Sequence, residues 1–169
     1  MPHQAQLEEY KMLRDDMQQR IRFRFQLFSL LLAALGFILP FGIEKQNPAV
    51  LLVYPVISFF LALSWVHQGA IMRKIGRYLR DELEPKVAGL EWEAYVNRDS
   101  KRFSQFSIIG FFASSGFILF SQALTLALAF LSMPPADNWN NLMILMTAVA
   151  CLATLLTLVY LIVYSRMKR

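Results

Sequence analysis

Leu142–Tyr164 reads LMILMTAVACLATLLTLVYLIVY, 23 residues without a single charge. A helix rises about 1.5 Å per residue and a bilayer's hydrocarbon core is about 30 Å thick, so roughly 20 apolar residues suffice to cross it. Working outward, three more stretches of this kind appear: Phe25–Ile43, Ala49–Val66 and Phe106–Leu131. The alternation of barrel strands is absent from all four, and only helices or closed barrels satisfy their backbone groups in lipid. The expected fold class is therefore all-α: a polytopic membrane protein with four transmembrane helices.

Composition agrees. Of the 169 residues, 56 % are hydrophobic and 17 % charged, against a usual apolar share of about 45–50 %. Intrinsic disorder needs the opposite balance. The single Cys151 excludes a disulfide scaffold and a cysteine-based zinc site. The first apolar run is preceded by 24 mostly polar residues, Glu8, Glu9, Asp15 and Asp16 among them, unlike the short basic start of a signal peptide. A retained membrane helix is expected there.

Orientation follows from the basic residues. Lys11, Arg14, Arg20, Arg22 and Arg24 precede the first span. Arg73, Lys74, Arg77, Arg80, Lys86, Arg98, Lys101 and Arg102 lie between the second and third, and Arg166, Lys168 and Arg169 follow the fourth. Those regions hold 16 of the 17 basic residues, leaving only Lys45 on the other side. The positive-inside rule then places both termini in the cytoplasm. A bacterial inner membrane is the expected location. Acidic residues nearly balance the basic ones in the two larger cytoplasmic parts, so nucleic acid is not an expected partner.

The expected organisation is a cytoplasmic amphipathic helix over 1–24, a transmembrane hairpin over 25–66 (spans 25–43 and 49–66), a cytoplasmic helical extension and connector over 67–102, a second hairpin over 103–165 (spans 106–131 and 142–164), and a basic tail over 166–169. Leu7, Tyr10, Leu13, Met17 and Ile21 form one helical stripe. No Gly or Pro separates this stripe from the first span, so one helix from about residue 5 to 43 is expected, and Pro40 with Gly42 signals its stop. Ile71, Ile75, Tyr78, Leu79 and Leu83 continue the second helix into the cytoplasm as far as Pro85. The two projecting stripes are expected to pack together as a helical stalk, and Asp99 or Ser100 to cap the following helix.

Small and hydroxylated residues step by three or four along spans three and four. Ser107, Gly110, Ser114, Ser121 and Thr125 are interrupted by Ile118, and Thr147, Cys151, Thr154 and Thr157 follow on the other helix. In lipid such faces let helices approach closely; a polar pore lining in an oligomer is the alternative. Tyr78, Trp92 and Tyr95 are candidates for docking a cytoplasmic partner. Arg20, Arg22, Arg24, Trp65 and Trp139 are candidate interface anchors.

No Asp, Glu, Lys or Arg lies within a span, which speaks against proton pumps and voltage sensors. His3 and His67 belong to no metal-spaced cluster, and no P-loop, G-x-G-x-x-G or nucleophile elbow is present. Glu82, Glu84, Glu91 and Glu93 read as a solvated helical face. No catalytic residue, metal or cofactor is expected.

Arg20-Ile21 through Leu27, Tyr54-Pro55, Trp65, Ile75-Gly76-Arg77-Tyr78-Leu79-Arg80-Asp81-Glu82-Leu83-Glu84-Pro85 and Gly89-Leu90-Glu91-Trp92 together resemble a family of uncharacterised bacterial four-span inner-membrane proteins, over residues 7–96. More loosely, a small membrane protein with a cytoplasmic helical portion is similar to the membrane effectors of antiphage systems. That likeness implies assembly and disturbance of the bilayer.

The expected function is that of a non-enzymatic, homo-oligomeric integral membrane protein. Its cytoplasmic helices receive a partner or signal, and its spans respond by perturbing the membrane. The alternatives are a constitutive channel or small-solute transporter, and a membrane anchor for a soluble enzyme.

Overall fold

A computed structural model of the chain describes residues 2–87, 89–98, 100–135 and 139–166, with all their side chains except those of residues 2, 3, 94, 97, 100–109, 111 and 112. The described residues form five α-helices and no strand: α1 (Pro2–Glu44), α2 (Pro48–Tyr78), α3 (Trp92–Arg98), α4 (Ser100–Leu131) and α5 (Asn141–Arg166). All of these but α3 contribute a segment long and apolar enough to cross a membrane. Of the two expected caps for α4, Asp99 lies outside the described residues; so does the basic tail beyond Arg166.

Two compact units divide the chain. Unit 1 comprises residues 1–26 and 67–112, and unit 2 residues 27–66 and 113–169.

In unit 1 the N-terminal stripe packs on the extension of α2. Tyr10, Leu79 and Leu83 are buried together, with Leu13, Met17, Ile75 and Leu90 against them. After Tyr78 the helix does not hold its α spacing to Pro85. It widens to a π turn over Leu79–Leu83, in which the Glu84 N–H donates to Leu79 O, and then tightens to 3₁₀ over Glu84–Lys86. Pro85 has no N–H to give the ladder; unlike Pro40 and Pro55, which lie inside α1 and α2, it sits in the 3₁₀ turn. Gly89, at φ +85°, turns the chain toward α3.

Unit 2 is built on two buried clusters. Leu31, Ile38, Tyr54, Ala62 and Ile118 form one; Leu51, Leu52, Ala129 and Ala150 form the other. Pro40 does not end α1, which continues to Glu44. The stop comes at Gln46, whose φ of +49° lets the Asn47 N–H reach back to Gly42 O at 3.1 Å, a left-handed cap of the Schellman kind. Gly42 is there for a close approach, since a Cβ would stand 2.5 Å from the buried Leu51 side chain. Asn47 then caps α2, its Oδ1 accepting from the Ala49 N–H at 3.1 Å, and Pro48 takes the first helical position where no N–H is needed. Asn140 does the same for α5 through the Met143 N–H at 2.8 Å.

Candidate functional site

Two polar networks stand out, one in each unit. In unit 1 it centres on Arg14. The guanidinium pairs with Glu93 Oε1 at 3.1 Å and donates from Nε to the Tyr10 hydroxyl at 3.2 Å. Its carbon lies 5.5 Å from the Tyr10 ring centroid and 5.8 Å from that of Trp92. A cation held between two aromatic faces and a carboxylate fixes α3 to the N-terminal helix. Glu84 is buried, and its Oε1 accepts the Glu93 backbone N–H at 2.8 Å. This corrects the expectation of a solvated acidic face. Glu82 and Glu91 are exposed, whereas Glu84 is buried against the start of α3 and Glu93, on α3 itself, is half-buried beside Arg14. Burial pushes the Glu93 carboxyl above its ordinary pKa, Arg14 pulls it back, and the nearby Glu84 charge adds to the rise.

The three candidate docking residues are at the surface of unit 1. Tyr78 donates to Glu9 Oε1 at 2.9 Å. Trp92 and Tyr95 are each 53 % exposed, with ring centroids 6.4 Å apart. Among the candidate anchors, Arg20 pairs with Asp16 at 2.9 Å and donates to Gln68 Oε1 at 2.8 Å. Arg22 is exposed and Arg24 half-buried.

In unit 2 the network centres on Gln122, a residue the sequence reading passed over. Its side chain is fully buried. The amide nitrogen lies 3.1 Å from Ser58 Oγ, 3.1 Å from Thr157 Oγ1 and 3.4 Å from Pro55 O. A backbone carbonyl can only accept, so the nitrogen, not the oxygen, must face Pro55. Gln122 Oε1 is buried and accepts no hydrogen bond among the described residues. Beside it the Tyr54 hydroxyl donates to Ser121 Oγ at 2.8 Å, and Ser121 donates in turn to Ile118 O at 2.9 Å. The signal that could have found this group is an amide in an otherwise apolar run, at a depth matching Tyr54-Pro55-x-x-Ser58.

The predicted small faces are only partly the inward ones. Among the described side chains of α4 the buried positions are Ser115, Ile118, Ser121, Gln122, Thr125 and Ala129. Ser121 and Thr125 belong to that face, but Ser114 is half-buried and Gly110 exposed; the side chain of Ser107 lies outside the described residues. Ile118 is the centre of the face, not an interruption of it. On α5 the inward ridge is Thr147, Ala150, Ala153, Thr157, Leu161 and Tyr164. Cys151 is exposed and Thr154 half-buried, because the three-and-four stepping from Thr147 passes through the alanines. Trp65 also departs from expectation: it is buried beside Tyr164, ring centroids 6.3 Å apart, and does not face out as an anchor. Trp139 is half-buried and donates from Nε1 to Pro134 O at 2.9 Å.

The hydroxyls of Thr125, Thr147, Thr154 and Thr157 each donate to a carbonyl of their own helix, at 2.8–3.0 Å. Threonines satisfied this way can sit in an apolar surround without water. Among the described residues no three of His, Cys, Asp or Glu gather as a metal site. No protein family, curated protein or solved structure matches this chain.

Proposed function

We propose that the chain is a non-enzymatic, homo-oligomeric protein of the bacterial inner membrane, with both termini and residues 67–102 in the cytoplasm. Unit 1 receives a cytoplasmic protein or signal, and the helices of unit 2 respond by opening a leak in the bilayer. In this reading it is akin to the small membrane effectors of antiphage systems. The observation that carries the reading is that α1 and α2 each belong to both units without a break. An unbroken helix transmits rotation or translation along its backbone, where a loop would absorb it. The exposed Trp92–Tyr95 pair supplies a docking feature of the aromatic kind enriched at protein interfaces. Apolar side chains along α5, from Leu142 to Val163, are exposed on the single chain; lipid and neighbouring copies would cover them.

The test uses a Cys151→Ser background carrying one new cysteine at Gln18, Gln46 or Glu91, all exposed positions. In intact spheroplasts a membrane-impermeant maleimide should label only the cysteine at position 46. Labelling at 18 or 91 before permeabilisation overturns the topology. Native mass spectrometry of the detergent-solubilised protein tests the oligomer, and a purely monomeric species overturns it. Expression should depolarise cells, and Trp92→Ala with Tyr95→Ala should suppress that effect. The same aromatic pair also favours an anchor for a soluble enzyme. Recruitment through these residues with no change in membrane potential would select that reading instead.

A further inference from the structure

Past its apolar stretch, Ala49–Val66, α2 runs on without a break to Tyr78. Outward from that stretch one face carries His67, then Ala70 and Ile71, then Lys74, then Arg77 and Tyr78. Steps of three and four keep these residues on one side. Lys74, Arg77 and Tyr78, with Asp81 and Glu82 from the π turn, line an open groove of about 320 Å³. Lys74 and Arg77 are exposed, and Gln46–Met72 before them is free of charge. A hydrocarbon core takes about 20 helical residues, which from Pro48 brings the chain to about Gln68. Lys74 then stands about 9 Å further along the axis. The Cβ atoms of a helix tilt toward its N-terminus, which for α2 is the membrane side. Both long side chains can therefore snorkel back to the headgroup layer, about 5–8 Å deep.

The carboxylates around this groove already have partners. Arg80 holds Asp81 through two bonds, at 2.7 and 3.1 Å, and Lys86 holds Glu82 at 3.0 Å. Glu9 accepts from the Tyr78 hydroxyl at 2.9 Å. Lys74 and Arg77 make no ion pair among the described residues; Arg77 acts on Asp81 only at longer range. Two cations are thus left open, at the end of the groove nearer the apolar stretch, while Asp81 and Glu82 lie at the other end. A free anion would meet the acidic end as readily as the basic one. A ligand whose tails are held in the bilayer presents its phosphate to Lys74 and Arg77 first, and Ala70 and Ile71 give its glycerol an apolar path to them. A guanidinium grips two phosphate oxygens at once, and an ammonium adds a point charge. Each such cation at a membrane surface raises affinity for anionic lipid about fivefold.

We propose that Lys74 and Arg77 bind the phosphodiester headgroup of an anionic phospholipid on this face of α2. The proposal needs only that α2 crosses a bilayer; it does not depend on the leak, on a protein partner or on the side where unit 1 lies. The experiment is native mass spectrometry of the full chain from detergent, titrated with phosphatidylglycerol or with phosphatidylcholine of the same acyl chains. The first phosphatidylglycerol should bind about thirtyfold more tightly, and Lys74→Gln with Arg77→Gln should remove that difference. Lys11→Gln with Arg98→Gln takes the same charge from exposed positions elsewhere on unit 1 and should leave the difference in place. The Lys74 and Arg77 variant should melt with its parent, since both side chains are exposed. If it melts lower, Lys74→Gln alone is read instead and should cost about fivefold. A large excess of glycerol phosphate, the same chemistry without tails, should not displace the lipid. Equal binding of the two lipids, a difference that survives the Lys74 and Arg77 substitutions, an equal loss in the Lys11 and Arg98 variant, or displacement by glycerol phosphate would overturn the proposal.

Discussion

Replacing Gln122 by methionine asks whether this buried amide stabilises unit 2 or burdens it. The amide nitrogen has two protons, and its two closer acceptors are Ser58 Oγ and Thr157 Oγ1, both at 3.1 Å. Interhelical hydrogen bonds inside membrane proteins average about 0.6 kcal/mol, so methionine forfeits about 1.2 kcal/mol. Against that stands Gln122 Oε1, buried without a donor among the described residues. An unsatisfied buried acceptor costs about 1–3 kcal/mol. Methionine removes this acceptor while keeping an unbranched chain of similar length. The net change therefore runs from about zero to 2 kcal/mol in favour of the variant.

Gln122→Ala loses the same bonds and also leaves a void, which should place it about 2–5 kcal/mol below the methionine variant. The assay is a reversible SDS titration in mixed micelles, followed by tryptophan fluorescence. A methionine variant less stable than the parent by about 2 kcal/mol or more would refute the reasoning, because Oε1 would then have to be engaged in something worth keeping.

Gly42→Ala should destabilise unit 2 by about 1–3 kcal/mol, the usual cost of overpacking, since its Cβ would meet Leu51 at 2.5 Å; an unchanged SDS midpoint would count against that approach. Gln46→Gly should raise stability by about 1 kcal/mol, relieving a side chain held at positive φ, and a drop would show that the Gln46 side chain matters more than its backbone. For Glu93 the folded pKa lies above the unfolded one. Its contribution to unit 1 is therefore fully present below the ordinary glutamate value and is lost as pH rises through the raised folded value. Glu93→Gln should abolish that segment of the pH–stability curve, read from hydrogen exchange over residues 84–98. A wild-type curve rising with pH in the same window would reverse the sign and sink the assignment.

The long helices were legible because apolar run length is read directly against bilayer thickness. The expected helix over 5–43 and the observed Pro2–Glu44 differ at their ends by three residues or fewer. The end of α2 was misread for a local reason: Leu79 and Leu83 have the spacing of an α-helical stripe, and nothing in those residues announces the wider turn that Pro85 and the packing of Tyr10 favour. Helix faces were the least legible part. Small side chains occur on both sides of α4 and α5, so Cys151 and Thr154 look as inward as Ala150 and Ala153 until a neighbouring helix is in place. Gln122 was hidden because one amide adds little to the hydropathy of its run. Glu84 and Glu93 were hidden because their partners, a backbone N–H and Arg14, lie far from a simple charge pattern.

The widened turn at Leu79–Leu83 fits one residue more than regular winding would allow between Tyr78 and Pro85. Each residue advances a helix by about 100°. Deleting Arg80 would let the coil close up regularly with Glu84 still directed at the Glu93 amide it now holds, whereas deleting a residue from the regular winding of α2 would swing Glu84 by that angle, away from it. The widened turn is thus the one stretch of this helix where a one-codon deletion should leave α3 fastened, while the same deletion a turn or two earlier should release it.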